Sequence, residues 1–389
     1  MKVAVLTAGK DPHYALGLLS GVTGKGLEVD FIGNDEMGRS DLVSCEGVQY
    51  FNLRGDTSSG KGQYSKGIQL TRYYLKLFVY AWKSDASVFH ILWFNKFIYF
   101  DMSLLNVYYK MLGKKIFYTA HNIDIWERDG KKSLVNRSLL RFLYKIVDHV
   151  FVHTERMKED LKQNFNVPDH KITTIPFGLN EVVPDRGIPR LDARKKLNIE
   201  AEEKVILFFG NIAPYKGAEY LIRALDVLEK RKLNTTLIIA GKVKKGSEEY
   251  WGEVLTEIES LKSNNKVVLE IRYILDEEVE VFFKAADLLV LPYVFIYQTG
   301  VLFLSYNFGL PAVATDTGLI KNDLKNGVNG FLCQPMDVVD LADKIQQYFN
   351  SSLYGNLDEN RKKIKDAVHE LHSWDKVGSI VVSKYSDFK

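Results

Sequence analysis

The sequence predicts an α/β protein made of two doubly wound domains that face each other across a cleft. Short, almost wholly apolar runs alternate with segments of helical spacing, and this alternation is typical of parallel strands that helices cover on both faces. The alternation lapses in a proline-rich stretch, residues 183–190, and then begins again. A chain of 389 residues is long enough for two domains with a core each.

The first half of the chain repeats a strand, a loop and a helix. Its first apolar run covers residues 2–7, stops at a polar turn around Gly9, and is followed by helical spacing over 14–22. Further strands are predicted at 29–33, 88–93, 116–120, 150–153 and 172–175, and further helices at 69–82, 101–112, 135–146 and 155–165.

The second half repeats this order of strand, loop and helix. Strands are predicted at 205–209, 236–240, 267–271, 288–291 and 312–315, with helices such as 220–230 and 277–286. We therefore expect an N-terminal domain over 1–180, a linker and the start of the second domain over 181–200, a C-terminal domain over 201–365, and a terminal helix over 366–389. Open parallel sheets bind ligands beyond the carboxyl ends of their strands, so the two sheets predict one ligand site in the cleft.

Composition excludes several classes of protein. A net charge of +3 and a pI near 8.5 are too mild to indicate a nucleic-acid-binding protein. Cys45 and Cys333 form no C-x-x-C pair, so neither a disulfide framework nor a zinc site is predicted. The first residues enter a strand directly, and no apolar run approaches the ~20 residues of a membrane span. We expect a cytoplasmic protein that is soluble or held peripherally at the inner face of the membrane.

The segment 207–217 is the strongest candidate for a phosphate site. A strand ends at Gly210, and a loop with Pro214 and Lys216 leads into a helix. Backbone N–H groups and one ammonium are therefore expected at a helix N-terminus, which favours a phosphate. The segment is neither a Walker loop nor a G-x-G-x-x-G turn. The alternative is an ordinary strand-to-helix turn with a surface lysine.

Polar residues follow other predicted strands at their carboxyl ends. Gly9 and Lys10 open a loop that permits close backbone approach to an anion, although a merely polar turn is the alternative. His121 ends an apolar strand, where a histidine can bond a substrate or move a proton near neutral pH. His153 has a comparable but weaker place. Gln298, Thr299 and Gly300 open an apolar helix whose N–H groups could hold a second part of an anionic ligand.

Several segments, taken together and in order, resemble the retaining glycosyltransferases of family 4, which have the two-domain GT-B fold of Rossmann-like domains. The resemblance covers nearly the whole chain. The segments that carry it are Gly210 to Gly217, Lys171 to Asn180, Thr119 to Asn122, Gly309 to Thr315, Asn326 to Phe331, and Ser373 with Trp374.

The resemblance implies roles for particular residues. Lys216 is expected to bind the donor diphosphate, Gly210 and Asn211 to accompany it, and His121 to lie near the transferred sugar. Tyr273 and Ile274 are expected to face the base through their backbone, and the backbone of Gln298, Thr299 and Gly300 to flank sugar and phosphate. Gly9 and Lys10 belong to the expected donor side, and Asp11, His13 and Trp93 to the acceptor side. No metal or cofactor is implied, and the terminal helix is expected to return to the N-terminal domain.

The chain departs from the family pattern in two places. The family usually has an arginine after the first glycine of the Lys216 segment, where this chain has Asn211. It also usually has a pair of glutamates whose aligned positions here are Ile296 and Leu304, and no carboxylate lies between Tyr293 and Thr315. The side chains of Gln298 and Thr299 are neutral candidates for hydrogen bonds to the sugar or ribose.

Two helices of the first half combine aromatic and basic residues. Residues 71–83 and 136–145 show apolar faces beside lysine and arginine. The aromatic run 93–100 is a candidate for the edge of the acceptor-binding site. A buried face with a solvated rim explains such helices in most proteins. The alternative is contact with an anionic membrane that bears a lipid-linked acceptor.

The sequence thus favours a retaining, metal-independent glycosyltransferase that moves a sugar from a nucleotide-sugar donor to a glycan or lipid-linked acceptor, in the making of a surface polysaccharide. A non-catalytic subunit that binds a nucleotide-sugar or glycan is the alternative from another class, because the glutamate pair is absent. A sugar-nucleotide epimerase of the same architecture matches fewer of the segments.

Overall fold

A computed structural model describes residues 1–56, 63–124, 133–179, 183–261, 266–296 and 299–388. The chain divides into two compact units, one formed by Met1–Gly178 with Leu371–Lys389 and the other by Leu179–Glu370. Each unit contains one parallel sheet with helices, which confirms the predicted pair of doubly wound sheets.

The first unit holds a seven-stranded sheet in the order β3-β2-β1-β4-β5-β6-β7. All described pairings are parallel. Its strands are β1 Lys2–Leu6, β2 Glu28–Gly33, β3 Val48–Asn52, β4 Val88–Ile91, β5 Lys115–Thr119, β6 His149–Val152 and β7 Ile172–Thr174. Its helices are α1 Pro12–Val22, α2 Gln63–Lys83, α3 Ile98–Phe100, α4 Asn106–Met111, α5 Leu134–Ile146 and α6 Glu155–Phe165, and a wider helical turn, Asp101–Leu105, joins α3 to α4.

The second unit holds a six-stranded sheet in the order β10-β9-β8-β11-β12-β13, again with parallel pairings throughout its described strands. Its strands are β8 Val205–Phe209, β9 Thr236–Ala240, β10 Lys266–Glu270, β11 Leu288–Leu291, β12 Ala312–Thr315 and β13 Gly330–Cys333. Its helices are α7 Arg190–Lys196, α8 Ala218–Lys230, α9 Glu248–Ser260, α10 Asp276–Ala285, α11 Gly300–Asn307, α12 Ile320–Asp323, α13 Val338–Phe349, α14 Ser352–Gly355 and α15 Leu357–His372.

The last helix, α16 Trp374–Ser386, belongs to the first unit and packs against α1. Glycines let the two helices touch, since a Cβ on Gly378 would lie 1.8 Å from the carbonyl oxygen of Gly21. The buried Trp374 ring fills the space beside Gly17, where a Cβ would lie 2.1 Å from the ring. The predicted return of the terminal helix to the N-terminal part is therefore confirmed.

The structure corrects the predicted elements in three places. The edge strand β3 was missed because its residues are half-buried and alternate with exposed ones, so no continuous apolar run marks it. The predicted single terminal helix is broken at Ser373, whose side chain accepts a hydrogen bond from the Lys376 N–H at 3.4 Å and begins α16. The short strand β13, which begins at a glycine, was also missed.

The strand order places one reversal point in each sheet. The chain leaves β1 toward one side and returns to its other side with β4, and it does the same with β8 and β11. Loops that leave such a point are the usual ligand-binding loops of open parallel sheets. Each unit therefore has its own candidate ligand-binding loops. They follow β1 and β4 in the first unit and β8 and β11 in the second.

Candidate functional site

The loops after β8 and β11 meet at the reversal point of the second sheet. The N–H of Val294 donates to the carbonyl of Tyr215 at 3.0 Å, which ties the two loops together. Lys216 Nζ donates to the hydroxyl of Tyr293 at 2.7 Å. A lysine from one loop is thus held by a tyrosine from the other.

Lys216 is an ammonium that the fold keeps almost out of water, with 5% of its surface exposed. Its Nζ lies 4.4 Å from the centroid of the Tyr293 ring, an arrangement that stabilises a cation through the ring's quadrupole. Burial lowers the pKa of Lys216 to about 8. Among the described residues no carboxylate forms an ion pair with it, so its charge is available to an anionic ligand.

Gly210 adjoins both this ammonium and the first turn of α11. A Cβ at Gly210 would lie 3.6 Å from Lys216 Nζ and 3.5 Å from a methyl group of Val301, and the residue has a φ of +103° that favours glycine. Thr299 caps α11 by accepting a hydrogen bond from the Val301 N–H at 3.3 Å. The positive end of the α11 dipole therefore lies beside Lys216.

The expectation that the helix after Lys216 offers free N–H groups is wrong for its first residue. The Ala218 N–H donates to the Tyr250 hydroxyl at 3.0 Å, and the N–H groups of Lys216 and Gly217 close a turn onto Ala213 and Pro214. Gly210 donates its N–H to the carbonyl of Ala240, the last residue of β9, and Ile212 donates to Lys242 in the loop after β9. These backbone donors are used by the fold, so the anion-binding character of the segment rests on the Lys216 side chain and on α11.

The remaining predicted donor-side residues of this unit occupy varied environments. Asn211 is exposed on the loop after β8, and Gly300 is the exposed first residue of α11. Tyr273 exposes its ring, and Lys242 Nζ lies 5.3 Å from its centroid, whereas Ile274 is buried. Gln298 lies outside the described residues.

The first unit has a lysine at the same topological place. Lys10, in the loop after β1, donates from Nζ to the carbonyl oxygen of Phe94, in the loop after β4, at 2.6 Å. Gly9 has a φ of +67° and Asp11 one of +42°, and the Asp11 carboxylate caps α1 by accepting from the Tyr14 N–H at 3.2 Å. His13 follows as a half-buried residue of the first turn of α1.

His121 is packed into an aromatic cluster of this unit. Its ring stacks on Trp93 with the centroids 4.5 Å apart and an angle of 5° between the planes, and it meets Tyr14 edge-on at 4.5 Å. Its Nδ1 lies 3.2 Å from His153 Nε2. The cluster continues to Phe177, whose ring centroid is 5.0 Å from that of His153.

Burial decides the protonation of both histidines. It lowers the pKa of His121 well below its usual range, with the neighbouring His153 as a second cause, and it lowers the pKa of His153 to about 4. Both rings are therefore neutral at pH 7. A neutral ring in this place can serve as a hydrogen-bonding group, and a role of His121 in proton transfer stays a prediction.

One contributor, Tyr293, has no sequence signal of its role, and the contact made by another, His153, has none either. Tyr293 lies 77 positions from Lys216, so no local pattern links the two. His153 was considered, but its bond to His121 follows only from the pairing of β5 with β6. Among the described residues no group of His, Cys, Asp and Glu side chains could hold a metal ion, and none of the described helices has both the length and the apolar character to cross a membrane.

Comparisons with known proteins agree with this architecture. The family model of glycosyl transferases group 1 matches residues 189–369, and that of glycosyltransferase family 4 matches residues 14–181. An uncharacterised glycosyltransferase of Methanocaldococcus jannaschii is 27% identical over 243 residues, which cover 61% of this chain and 59% of that protein. The chain thus spans little more than half the length of that curated relative.

Solved structures extend the likeness to the whole chain. Sucrose-phosphate synthase of Thermosynechococcus elongatus superposes with a TM-score of 0.76 at 18% identity, covering 100% of this chain and 99% of that one. The Anabaena protein HepE, solved in complex with UDP-glucose, superposes with a TM-score of 0.75 at 17% identity, covering 100% of both chains. At this level of identity the likeness establishes the fold, which is GT-B.

Proposed function

Because the chain belongs to family 4 of the glycosyltransferases, the glycosyl transferases group 1, we propose that it transfers a sugar with retention from a nucleotide-sugar donor to a glycan or lipid-linked acceptor. The making of a surface polysaccharide is the process we propose for it. The observation that carries the proposal is the buried Lys216 ammonium, which has no carboxylate partner among the described residues and lies beside the N-terminal end of α11.

This arrangement suits the departure of a nucleoside diphosphate. When the bond from the anomeric carbon to the diphosphate breaks, negative charge grows on the leaving oxygen. Lys216 Nζ is already oriented by Tyr293 and largely desolvated, so it can stabilise that charge with little reorganisation. The α11 dipole adds to this stabilisation. HepE was solved with UDP-glucose, which supports a nucleotide-sugar as the class of donor.

We assign the first unit to the acceptor and the transferred sugar. Neutral His121, held by Trp93 and His153, is suited to a hydrogen bond with a sugar hydroxyl. Asp11, His13 and Trp93 are proposed to contact the acceptor. Gly9 and Lys10 are proposed to contribute to the donor side.

The missing glutamates favour a second candidate function. Their aligned positions carry Ile296 and Leu304, and Leu304 is buried in α11. Apolar side chains cannot accept hydrogen bonds from the ribose or the sugar, so a subunit that binds a nucleotide-sugar or glycan without turnover is the competing function.

Measurement of nucleotide release separates the two candidates. The full chain is incubated with a panel of UDP-, GDP- and ADP-sugars, with and without glycan and polyprenyl-phosphate-linked acceptors. We expect release of the nucleoside diphosphate to be accelerated by one class of acceptor, and the new linkage to keep the anomeric configuration of the donor. A donor that binds but is not consumed with any acceptor would support the non-catalytic subunit instead.

A further inference from the structure

The outer face of one helical layer in the first unit is unusually apolar. More than half of the large apolar side chains that are exposed among the described residues lie between positions 68 and 142. They are Ile68, Leu75, Val79 and Trp82 on α2, Phe97, Tyr99, Leu104 and Met111 around α3 and α4, and Leu134, Val135 and Phe142 on α5. We call this set with the cations beside it the apolar-basic face.

Helix α2 shows how regular this exposure is. Ile68, Leu75, Val79 and Trp82 recur at helical spacing along one side, and Trp82 has 70%, Leu75 62% and Val79 50% of its surface exposed. The opposite side of the helix, with residues such as Tyr73 and Leu77, is buried. An ordinary surface helix has one apolar side, which faces the core. Helix α2 has a second one that faces outward.

The helices that carry the apolar-basic face lie side by side. The Tyr108 hydroxyl donates to the Phe78 carbonyl at 3.0 Å, and the two rings are 4.8 Å apart, so α4 packs on α2. The Tyr99 hydroxyl donates to Asn136 Oδ1 at 2.7 Å, which ties α3 to α5. The exposed apolar side chains therefore belong to one continuous layer.

The charged residues of this layer have one sign. Helices α2 and α5 contain no carboxylate at all, and the exposed cations on or beside the layer are Arg72, Lys76, Lys83, Lys96, Arg137, Arg141 and Lys145. The one carboxylate between α3 and α4, Asp101, is buried and accepts hydrogen bonds from the Tyr74 hydroxyl at 2.7 Å and the Asn95 N–H at 2.6 Å. Nothing acidic on these helices offsets the exposed cations.

An apolar groove opens beside α2. It has a volume of about 530 Å³, and Phe51, Leu53, Leu75 and Val79 line its apolar part. Lys76 and Lys83 also line it. So do two carboxylates, Asp30 and Asp85, which are both paired with Lys2. The lining thus combines apolar side chains with cations, which suits an acyl chain and its phosphate headgroup.

We propose that the apolar-basic face docks the protein on an anionic lipid bilayer. Trp82, Leu75 and Val79 enter the headgroup region, where an amphipathic aromatic ring and aliphatic side chains are favoured. The arginines and lysines around them contact lipid phosphates, and each adds roughly 1 kcal/mol near an anionic surface, or about fivefold in affinity. The lysines of the face favour a bilayer over a protein interface, where lysine is depleted, whereas its aromatic residues and arginines suit either. The docking does not depend on the sugar transfer proposed above.

Vesicle flotation tests the proposal with the full chain. We expect flotation with vesicles of phosphatidylcholine and phosphatidylglycerol, weak flotation with phosphatidylcholine alone, and a decrease as salt rises. The pair Leu75→Ser with Trp82→Ser is expected to lower the apparent affinity by about tenfold or more. The pair Arg137→Gln with Arg141→Gln is expected to lower it by about 25-fold, from two cations.

Matched controls come from the second unit. Leu191 and Val328 are exposed apolar residues, and Lys195 and Lys196 are exposed cations of α7. The pair Leu191→Ser with Val328→Ser and the pair Lys195→Gln with Lys196→Gln are expected to float like the wild type. All changed side chains are exposed, so folding is expected to be preserved, and circular dichroism checks it.

Three outcomes would overturn the proposal. The first is no flotation with phosphatidylglycerol at low salt, and the second is an equal loss in the control pairs. The third is concentration-dependent self-association in solution that the Leu75 and Trp82 changes abolish while flotation stays unchanged, because the face would then be an interface between copies of the chain.

Discussion

Lys216 is the residue on which the proposed donor site depends most. Its place after a strand made it visible in the sequence, because a loop that leaves a buried strand and enters a helix is a recurrent phosphate site. Its environment was not visible. Tyr293, which accepts its hydrogen bond, follows β11 and comes into contact with Lys216 only through the strand order. Gly210 lies near the ammonium as well, but it belongs to the same loop as Lys216.

The lowered pKa of Lys216 predicts how donor binding depends on pH. The free lysine loses its proton above pH about 8, and a diphosphate binds the charged form, so affinity is expected to fall by about tenfold per pH unit above this pH. Between this pH and about 6, where the terminal phosphate of the ligand takes up a proton, affinity is expected to be nearly constant. The fall ends at the higher pKa of the complex. Calorimetry with a nucleoside diphosphate in buffers of different ionisation enthalpy should show proton uptake on binding in the sloping range.

The variant Tyr293→Phe tests the cause of this behaviour. Loss of the hydroxyl removes a hydrogen bond that stabilises the charged form of Lys216. The break in the pH profile, which is the pH at which affinity begins to fall, should therefore move to lower pH. Affinity in mildly acidic buffer should stay near that of the wild type. An unchanged break, or an equal loss of affinity at every pH, would show that Tyr293 does not orient the ammonium.

Close contact at glycine is the main feature at the scale of elements. Helices α1 and α16 approach through Gly21 and Gly378, and the ring of Trp374 lies where a side chain at Gly17 would be. The sequence match at Trp374 indicated the return of the last helix. It contained no sign of the contact itself, since a glycine in a helix does not reveal its neighbours.

Replacement of Gly378 by alanine is expected to destabilise the first unit by about 1–3 kcal/mol, because the new Cβ would overlap the Gly21 carbonyl. Gly252 is the matched control, since it lies in α9 with open space around its Cα. Gly252→Ala should stabilise the protein by about 0.5–1 kcal/mol through helix propensity alone. Scanning calorimetry measures both, and a raised or unchanged transition in Gly378→Ala would contradict the account.

Apolar runs predicted the central strands within one or two residues, because strands buried on both faces leave a continuous signal. The same rule explains what was missed. In edge strand β3, exposed residues alternate with half-buried ones. Strand β13 is only four residues long and begins at a glycine. The wide turn at Asp101–Leu105 inside the helix before β5 begins at a buried carboxylate, and the partners of that carboxylate, Tyr74 and Asn95, are not read from the local sequence.

At the scale of the whole molecule, each unit has a lysine that joins two loops at the reversal point of its sheet. Lys10 bridges the loops after β1 and β4, and Lys216 bridges those after β8 and β11. The repeated alternation of strands and helices predicted two such sheets. It could not predict that a lysine would close each reversal point, because strand order is a long-range property that no local pattern records.

Titration of the full chain with UDP, GDP and ADP measures the role of Lys216 in donor binding. We expect one of these diphosphates to bind the wild type. Lys216→Ala is expected to weaken binding by about 1.5–3 kcal/mol, the scale of a hydrogen bond to a charged group, and Lys230→Ala at the far end of α8 to leave it unchanged. Equal affinity in wild type and Lys216→Ala, or no binding of any diphosphate by the wild type, would contradict this role.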